Sequence, residues 1–345
     1  MCYSVLRVNL GCAGPGGPRI GRALTRPSPP LRGRAFPQRG SASFARPASA
    51  HCHPRPKRLR RAAVLQIVPT LIMKSPNPNR PSVVPENPLK ARLRRGEPVI
   101  GAVITLNSPE IAAHIAGLGF DFLWFEMEHA PLTLEGLRHM ILATRGLDAV
   151  PLARPPVNEL WTAKRLLDLG ALGVIFPFTR TPELARQAVA ACRYPPTGLR
   201  GSGALLAQMR WPPAAEYYDF ADANVLVVAV VEETSALAHI EAIAATPGID
   251  VLFIGTSDLS FSLGLRGEQQ HPKLDAAIAK IVAAARRHGK PIGRPAGSAA
   301  DLRRFMKQGF QFFMTATDLE LITEGAARLL GPLRRGRGQA PTTGL

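Results

Sequence analysis

From about residue 96 the chain alternates with a regularity that few folds can accommodate. Eight short runs of β-branched, aromatic and other apolar residues are separated by longer stretches of helical period. The runs are Val99–Thr105, Phe122–Glu126, Val150–Arg154, Gly173–Pro177, Val225–Glu232, Val251–Gly255, Pro291–Arg294 and Phe310–Thr315. They are nearly continuous in apolar character, as expected for parallel strands covered on both faces. The stretches between them carry helix signals. Ser108-Pro109-Glu110 and Thr181-Pro182-Glu183 each place a capping hydroxyl before a first-turn proline. Asn158 is read as the cap of a helix through Leu169 that Gly170 ends, and Ser298 as the start of one closed by Gly309. Eight βα units over residues 86–345 predict an α/β fold, a TIM (β/α)8 barrel. An open doubly wound sheet normally shows a glycine-rich phosphate turn after its first strand. Here the first strand runs into Thr105-Leu106-Asn107-Ser108.

Charge divides the chain. The net charge is +18, but fifteen of the 43 Lys and Arg lie in residues 1–85, where there is no Asp or Glu; the first acid is Glu86. The remainder is nearly neutral, so no nucleic-acid footprint is expected on the folded domain. Residues 1–85, rich in Arg, Pro, Ser and Gly, read as a disordered basic leader. One reading is a transit peptide, which would place the enzyme in the mitochondrial matrix. The preferred one starts translation at Met73 and leaves a cytoplasmic enzyme. No run reaches the ~20 apolar residues of a membrane span. Only Cys192 of the four cysteines falls in the domain, which suits a reducing compartment.

In a TIM barrel the chemistry sits at the C-terminal ends of the strands. Here strand 2 ends in Glu126-Met127-Glu128-His129, strand 3 in Arg154, strand 5 in Glu232-Glu233, and strand 6 runs into Gly255-Thr256-Ser257-Asp258. A charge that ends an apolar strand must meet a partner, a ligand or water. Glu232 and Asp258 are either rim partners of Arg154 or ligands of a divalent cation. Two carboxylates with substrate and water completing an octahedron suit Mg2+, Mn2+ or Co2+. His129 is either a packed loop histidine or a proton carrier favoured by its acidic neighbours. The segment Gly198-Leu199-Arg200-Gly201-Ser202-Gly203 neither directly follows a strand nor opens a clear helix, which weakens a nucleotide reading.

These residues resemble the HpcH/HpaI aldolase/citrate lyase family, and within it the pyruvate-dependent class II aldolases. The resemblance spans about residues 88–332. It is carried by Glu128-His129-Ala130-Pro131, Pro151-Leu152-Ala153-Arg154-Pro155, Arg193-Tyr194-Pro195-Pro196 with Arg200-Gly201, Val231-Glu232, and Phe253-Ile254-Gly255-Thr256-Ser257-Asp258-Leu259-Ser260. Type members cleave 4-hydroxy-2-oxoheptanedioate, in aromatic compound catabolism, or 2-dehydro-3-deoxyglucarate. The resemblance implies a barrel of the phosphoenolpyruvate/pyruvate type in which Glu232 and Asp258 hold the metal. It implies that Arg154 binds the keto oxygen of a 2-oxo acid, with Gly255, Ser257 and Asp258 around its carboxylate, and that His129 moves the proton at the aldehyde oxygen. It further implies a homo-oligomer, a hexamer built from dimers, in which Asp168 supports the His129 of a neighbouring subunit. Two positions depart from the family pattern. Glu126 stands where an Asp usually orients the histidine, and Val230 where a Gln usually lies near the substrate.

The expected reaction is reversible cleavage of a 4-hydroxy-2-oxo acid to pyruvate and an aldehyde. A divalent cation would stabilise the charge developing on the keto oxygen, and Arg154 would add a fixed positive charge there. The strand 5 to strand 8 ends carry no lysine, so a Schiff-base aldolase lacks its nucleophile. The alternatives are a CoA-thioester lyase of the citryl or malyl type, which should not need the His129 motif, and a catalytically silent binding barrel.

Overall fold

In the computed structural model of the protein, residues 86–211 and 217–334 are described; the leader over residues 1–85 lies outside them. In chain order the elements are α1 (Pro88–Arg94), β1 (Val99–Ile104), α2 (Pro109–Ala116), β2 (Phe122–Glu126), α3 (Leu134–Ala143), β3 (Val150–Arg154), α4 (Leu160–Asp168), β4 (Gly173–Phe176) and α5 (Pro182–Ala191). There follow α6 (Leu205–Arg210), α7 (Tyr217–Asn224), β5 (Leu226–Val231), α8 (Thr234–Ala245), β6 (Val251–Ile254), α9 (Thr256–Ser262), α10 (Pro272–Arg287), β7 (Ile292–Pro295), α11 (Ala299–Lys307), β8 (Phe312–Thr317) and α12 (Asp318–Arg334). The eight strands pair in parallel and in sequence order, and β8 closes on β1. The expected TIM barrel is therefore present.

The helix starts follow the sequence signals with one exception. Ser108, Thr181 and Ser298 each accept a hydrogen bond from the backbone N–H three residues on. Asn158 does not cap α4. The cap position is Glu159, which makes no side-chain capping bond, while the Asn158 amide turns to the Thr179 hydroxyl at 3.4 Å. The last strand also begins two residues later than expected, because Phe310 packs edge-on against Phe305 of α11.

Aromatic rings fill the barrel interior. Phe122 stacks on Phe312 at 4.5 Å, and Phe253 meets both Trp124 and Phe312 edge-on. Room for them comes from strand positions without a side chain: a Cβ on Gly101 or Gly293 would collide with Phe122 or Phe253. The interior is thus a packed floor and not a channel. At the N-terminal end, the Asn87 amide binds the carbonyl of Asn224 at 2.8 Å, and Lys90 pairs with Asp250 at 3.2 Å, so α1 is tied to the strand starts.

α12 is incompletely covered. Leu319, Ile322, Leu329, Leu330 and Leu333 are exposed along it, and Met314 to Thr317 of β8 are only half-buried. Asp318, buried at the joint, accepts hydrogen bonds from both backbone N–H and hydroxyl of Thr105 and from the N–H of Leu106, fixing where the helix leaves the barrel. Among the described residues no helix is long and apolar enough to cross a membrane.

Candidate active site

The polar ends of β2, β3, β5 and β6 converge above the aromatic floor. Register places Glu126 directly beside Arg154 on the neighbouring strand. Oε2 of Glu126 accepts from Arg154 Nε at 2.6 Å and lies 2.6 Å from Nη2, and it also accepts from Trp124 Nε1 at 3.0 Å. Its Oε1 accepts from the backbone N–H groups of Glu128 and His129, at 2.7 and 3.0 Å. Glu126 therefore fixes Arg154 and the turn after β2. It touches the backbone of His129 and not its imidazole. The Arg154 guanidinium lies over the Trp124 ring, 5.3 Å from its centroid, and is held from two sides.

Glu232 is 2% exposed, and its Oε1 accepts from the backbone N–H of Phe178 at 2.7 Å. Phe178 adopts φ +48°, a conformation disfavoured for a residue with a Cβ. Such strain at a strand end marks a backbone group held for a task; here it aims a donor at a carboxylate. Asp258 follows in the first turn of α9, whose N-cap is Gly255. Neither Glu232 nor Asp258 is paired with Arg154, whose ion-pair partners among the described residues are Glu126 and Glu128. Arg154 acts on Glu232 only as a nearby charge and not as an ion-pair partner.

His129 is exposed, and its Nε2 lies 3.7 Å from Glu128 Oε2. Ser257 is exposed and Gly255 half-buried at the head of α9. Asp168 is placed elsewhere. At the end of α4 it accepts from Arg200 Nη2 at 3.1 Å, which supplies the positive charge that a carboxylate at a helix C-terminus needs. Burial raises the pKa of Asp168, and the Arg200 charge works against that rise. A cavity of about 350 Å³ between α3 and α4 is lined by Arg138, Arg165 and Asp168 and holds none of the mouth carboxylates. Cys192 is a buried core residue whose thiol is pushed up to about 12 by burial.

Electrostatics at the mouth favour a cation. Burial pushes Glu232 up to about 7, with the charges of Glu128 and Asp258 adding to the rise and the Phe178 N–H and Arg154 opposing it. Burial also pushes Glu128 up to about 7; Arg154 opposes this, and Glu126 and Asp258 add to it. Without a cation, the folded protein therefore binds more protons than the unfolded chain between about pH 4.5 and 7. Its stability should fall as pH rises through that window and level off above it. Thermal midpoints measured in chelator across pH 4.5–8 check this, and excess Mn2+ should raise the midpoint most on the alkaline side. A midpoint that climbs from pH 5 to 7 in chelator would contradict it.

The donor set fits a hard divalent cation: carboxylate oxygens, one of them oriented by a backbone N–H, beside a fixed guanidinium. Among the described residues no group of three or more ligating side chains forms a ready-made cage. Two carboxylates that leave the other positions to substrate and water are what Mg2+ accepts.

A family profile, described as HpcH/HpaI aldolase/citrate lyase, matches residues 100–324. The chain belongs to that family. A 5-keto-4-deoxy-D-glucarate aldolase of Klebsiella pneumoniae is 35% identical over 250 residues, covering 72% of this chain and 97% of the relative. A solved family protein from Burkholderia cenocepacia J2315 is 34% identical with a TM-score of 0.67, over 72% of this chain and 99% of that one. A solved citrate synthase, SbnG, is 26% identical with a TM-score of 0.65, over 73% and 99%. The matches span the barrel that carries the mouth residues.

Proposed function

We propose that the protein is a divalent-metal-dependent aldolase that reversibly cleaves a 4-hydroxy-2-oxo acid to pyruvate and an aldehyde. The observation that carries this reading is the mouth geometry. Arg154 is held on Glu126 and Glu128, while Glu232 and Asp258, near enough for their charges to act on each other, make no ion pair among the described residues. A divalent cation on Glu232 and Asp258 would supply Lewis-acid stabilisation of the charge that develops on the keto oxygen.

The chain's own residues account for the rest. Arg154 places a preorganised positive charge at the keto oxygen, in a site where Trp124 and the carboxylates prevent it from swinging away. The first-turn N–H groups of α9, at Ser257 and Asp258 behind Gly255, have no side-chain cap and suit the substrate carboxylate. In the cleavage direction, His129 takes the proton from the C4 hydroxyl and the C3–C4 bond breaks. Its electron pair passes to C3, giving the pyruvate enolate, and C4 leaves as the aldehyde. A proton delivered to C3 completes pyruvate. His129 sits at the exposed side of the mouth, where the variable aldehyde portion would project.

The relatives point to a sugar-acid substrate rather than an aromatic breakdown product. Retro-aldol assays over a panel headed by 5-keto-4-deoxy-D-glucarate, with pyruvate release as readout, test the reading. Metal-dependent release from at least one member is expected, and none from any member would refute it. The second reading, a thioester-using carbon–carbon enzyme, is favoured by the likeness to the citrate synthase. It predicts turnover only when a CoA thioester is present.

The exposed apolar face of α12, together with the half-buried end of β8, supports a homo-oligomer in which copies of this chain cover each other. In that assembly Asp168, set apart from the mouth of its own barrel, would support a neighbour's His129. Mixing inactive Asp168→Ala and His129→Ala subunits should then restore part of the activity. No recovery despite demonstrated subunit exchange would contradict the shared site. We place the enzyme in the cytoplasm, a setting that suits the free, buried Cys192.

A further inference from the structure

Glu128 is the carboxylate at the mouth to which the reaction above gives no task beyond its ion pair with Arg154. Its side chain is 8% exposed, yet Oε2 has no hydrogen-bond partner among the described residues. Arg154 Nη1 forms an ion pair with it at 3.1 Å and His129 Nε2 lies 3.7 Å away, but neither makes a hydrogen bond to it. Holding Arg154 does not require Glu128, because Glu126 already engages Nε and Nη2 at 2.6 Å each. A buried carboxylate oxygen with no donor is costly in the free protein. Such an atom calls for a ligand-side partner.

Charge narrows what that partner is. Glu126 and Arg154 offset each other, which leaves Glu128, Glu232 and Asp258, close enough for their charges to act on one another. Three carboxylates around one pocket, once ionised, call for a cation. Glu128 does not join the other two in a direct cage, since no three ligating side chains converge among the described residues. An acceptor one water removed from the cation satisfies both facts, and hard divalent ions such as Mg2+ retain several waters when bound.

We propose that Glu128 is a third carboxylate of the cation site, acting from the outer sphere. Its free Oε2 accepts a hydrogen bond from a water retained by the divalent cation that Glu232 and Asp258 hold. Glu128 is thus a positioning residue that sets cation affinity. The assignment rests on the reading of Glu232 and Asp258 as the ligands.

Calorimetric titration of Mn2+ into the full chain, without substrate, tests it on Glu128→Gln, Glu128→Ala and Glu232→Gln. Thermal midpoints of the metal-free proteins at pH 8 are recorded alongside. Both Glu128 variants should bind Mn2+ about 10- to 100-fold more weakly, the range typical of lost outer-sphere partners. The metal-free midpoint of Glu128→Gln should hold or rise, because a buried charge without a donor is gone. Glu232→Gln should lose binding altogether. Unchanged Mn2+ affinity in both Glu128 variants, with binding lost in Glu232→Gln, would overturn the Glu128 assignment and leave the cation site standing. Unchanged affinity in all three would overturn both.

Discussion

Replacing Arg154 with lysine is expected to lower pyruvate methyl-proton exchange and retro-aldol cleavage together, by about 10²- to 10³-fold, the usual cost of removing one preorganised oxyanion donor. Lysine keeps the charge but cannot engage Glu126 through two nitrogens while presenting a third to substrate. Arg154→Ala should lose the same activities and also stability. It would strand Glu126, 4% exposed, without its cation, and breaking a buried pair in this way costs about 3–5 kcal/mol. The lysine variant therefore separates catalysis from folding. His129→Ala should behave differently, reducing cleavage much more than exchange, because the proposed role of His129 is at the C4 hydroxyl and not at the methyl group. Steady-state cleavage rates and NMR exchange rates on the same samples read both effects. Equal losses in the two assays for His129→Ala would contradict this division of roles.

Gly255→Ala is expected to be nearly as damaging through a single methyl group. A Cβ at that position would lie 2.6 Å from Glu232 Oε2 and 2.8 Å from Glu232 Cβ. The second contact is not with the flexible end of a side chain, so either Glu232 or the β6–α9 junction must move. Displacing a reacting geometry by about 1 Å can cost about 10²-fold in rate, and Mn2+ affinity should fall with it. The barrel should survive, since overpacking of this kind costs about 1–3 kcal/mol. Circular dichroism, Mn2+ titration and cleavage assays on one preparation check all three. Wild-type affinity and turnover in Gly255→Ala would mean that Glu232 is not the group that matters at this mouth.

The barrel was legible in the sequence because parallel strands buried on both faces leave continuous apolar runs, and because the runs of β2, β3 and β5 end at charged residues. β2 and β3 match their expected limits for that reason. The shift of β8 has a local cause: Phe310 is apolar enough to read as strand, but it serves the α11 packing. Asn158 misled as a cap because the capping position falls one residue later and its own amide serves Thr179.

The site was legible in part. Glu232, Asp258 and Arg154 stood out as charges ending apolar strands, and the structure brings them to one mouth. The role of Glu126 was not legible, because its partner depends on cross-strand register: Glu126 faces Arg154 directly, so it holds the guanidinium and not the imidazole. Phe178 left no signal at all, since what matters is its N–H and a positive φ that no Phe announces. Glu128 was visible only as a neighbour of His129. That its oxygen ends buried and unpartnered follows from the turn that Glu126 caps, a tertiary fact. α12 would pass from sequence as an ordinary outer helix, and only its exposed leucines show that its own barrel does not cover it.

In the proposed mechanism Glu232 and Asp258 hold a cation that, with Arg154, stabilises the enolate of pyruvate. The most direct measurement is the exchange of pyruvate methyl protons in deuterated water, followed by NMR. It compares the wild-type protein and Glu232→Gln, each with Mn2+ and each with chelator. Exchange is expected in the wild-type protein with Mn2+ only, and none in folded Glu232→Gln under either condition. Exchange that persists in chelator, or in Glu232→Gln at the wild-type rate, would contradict it.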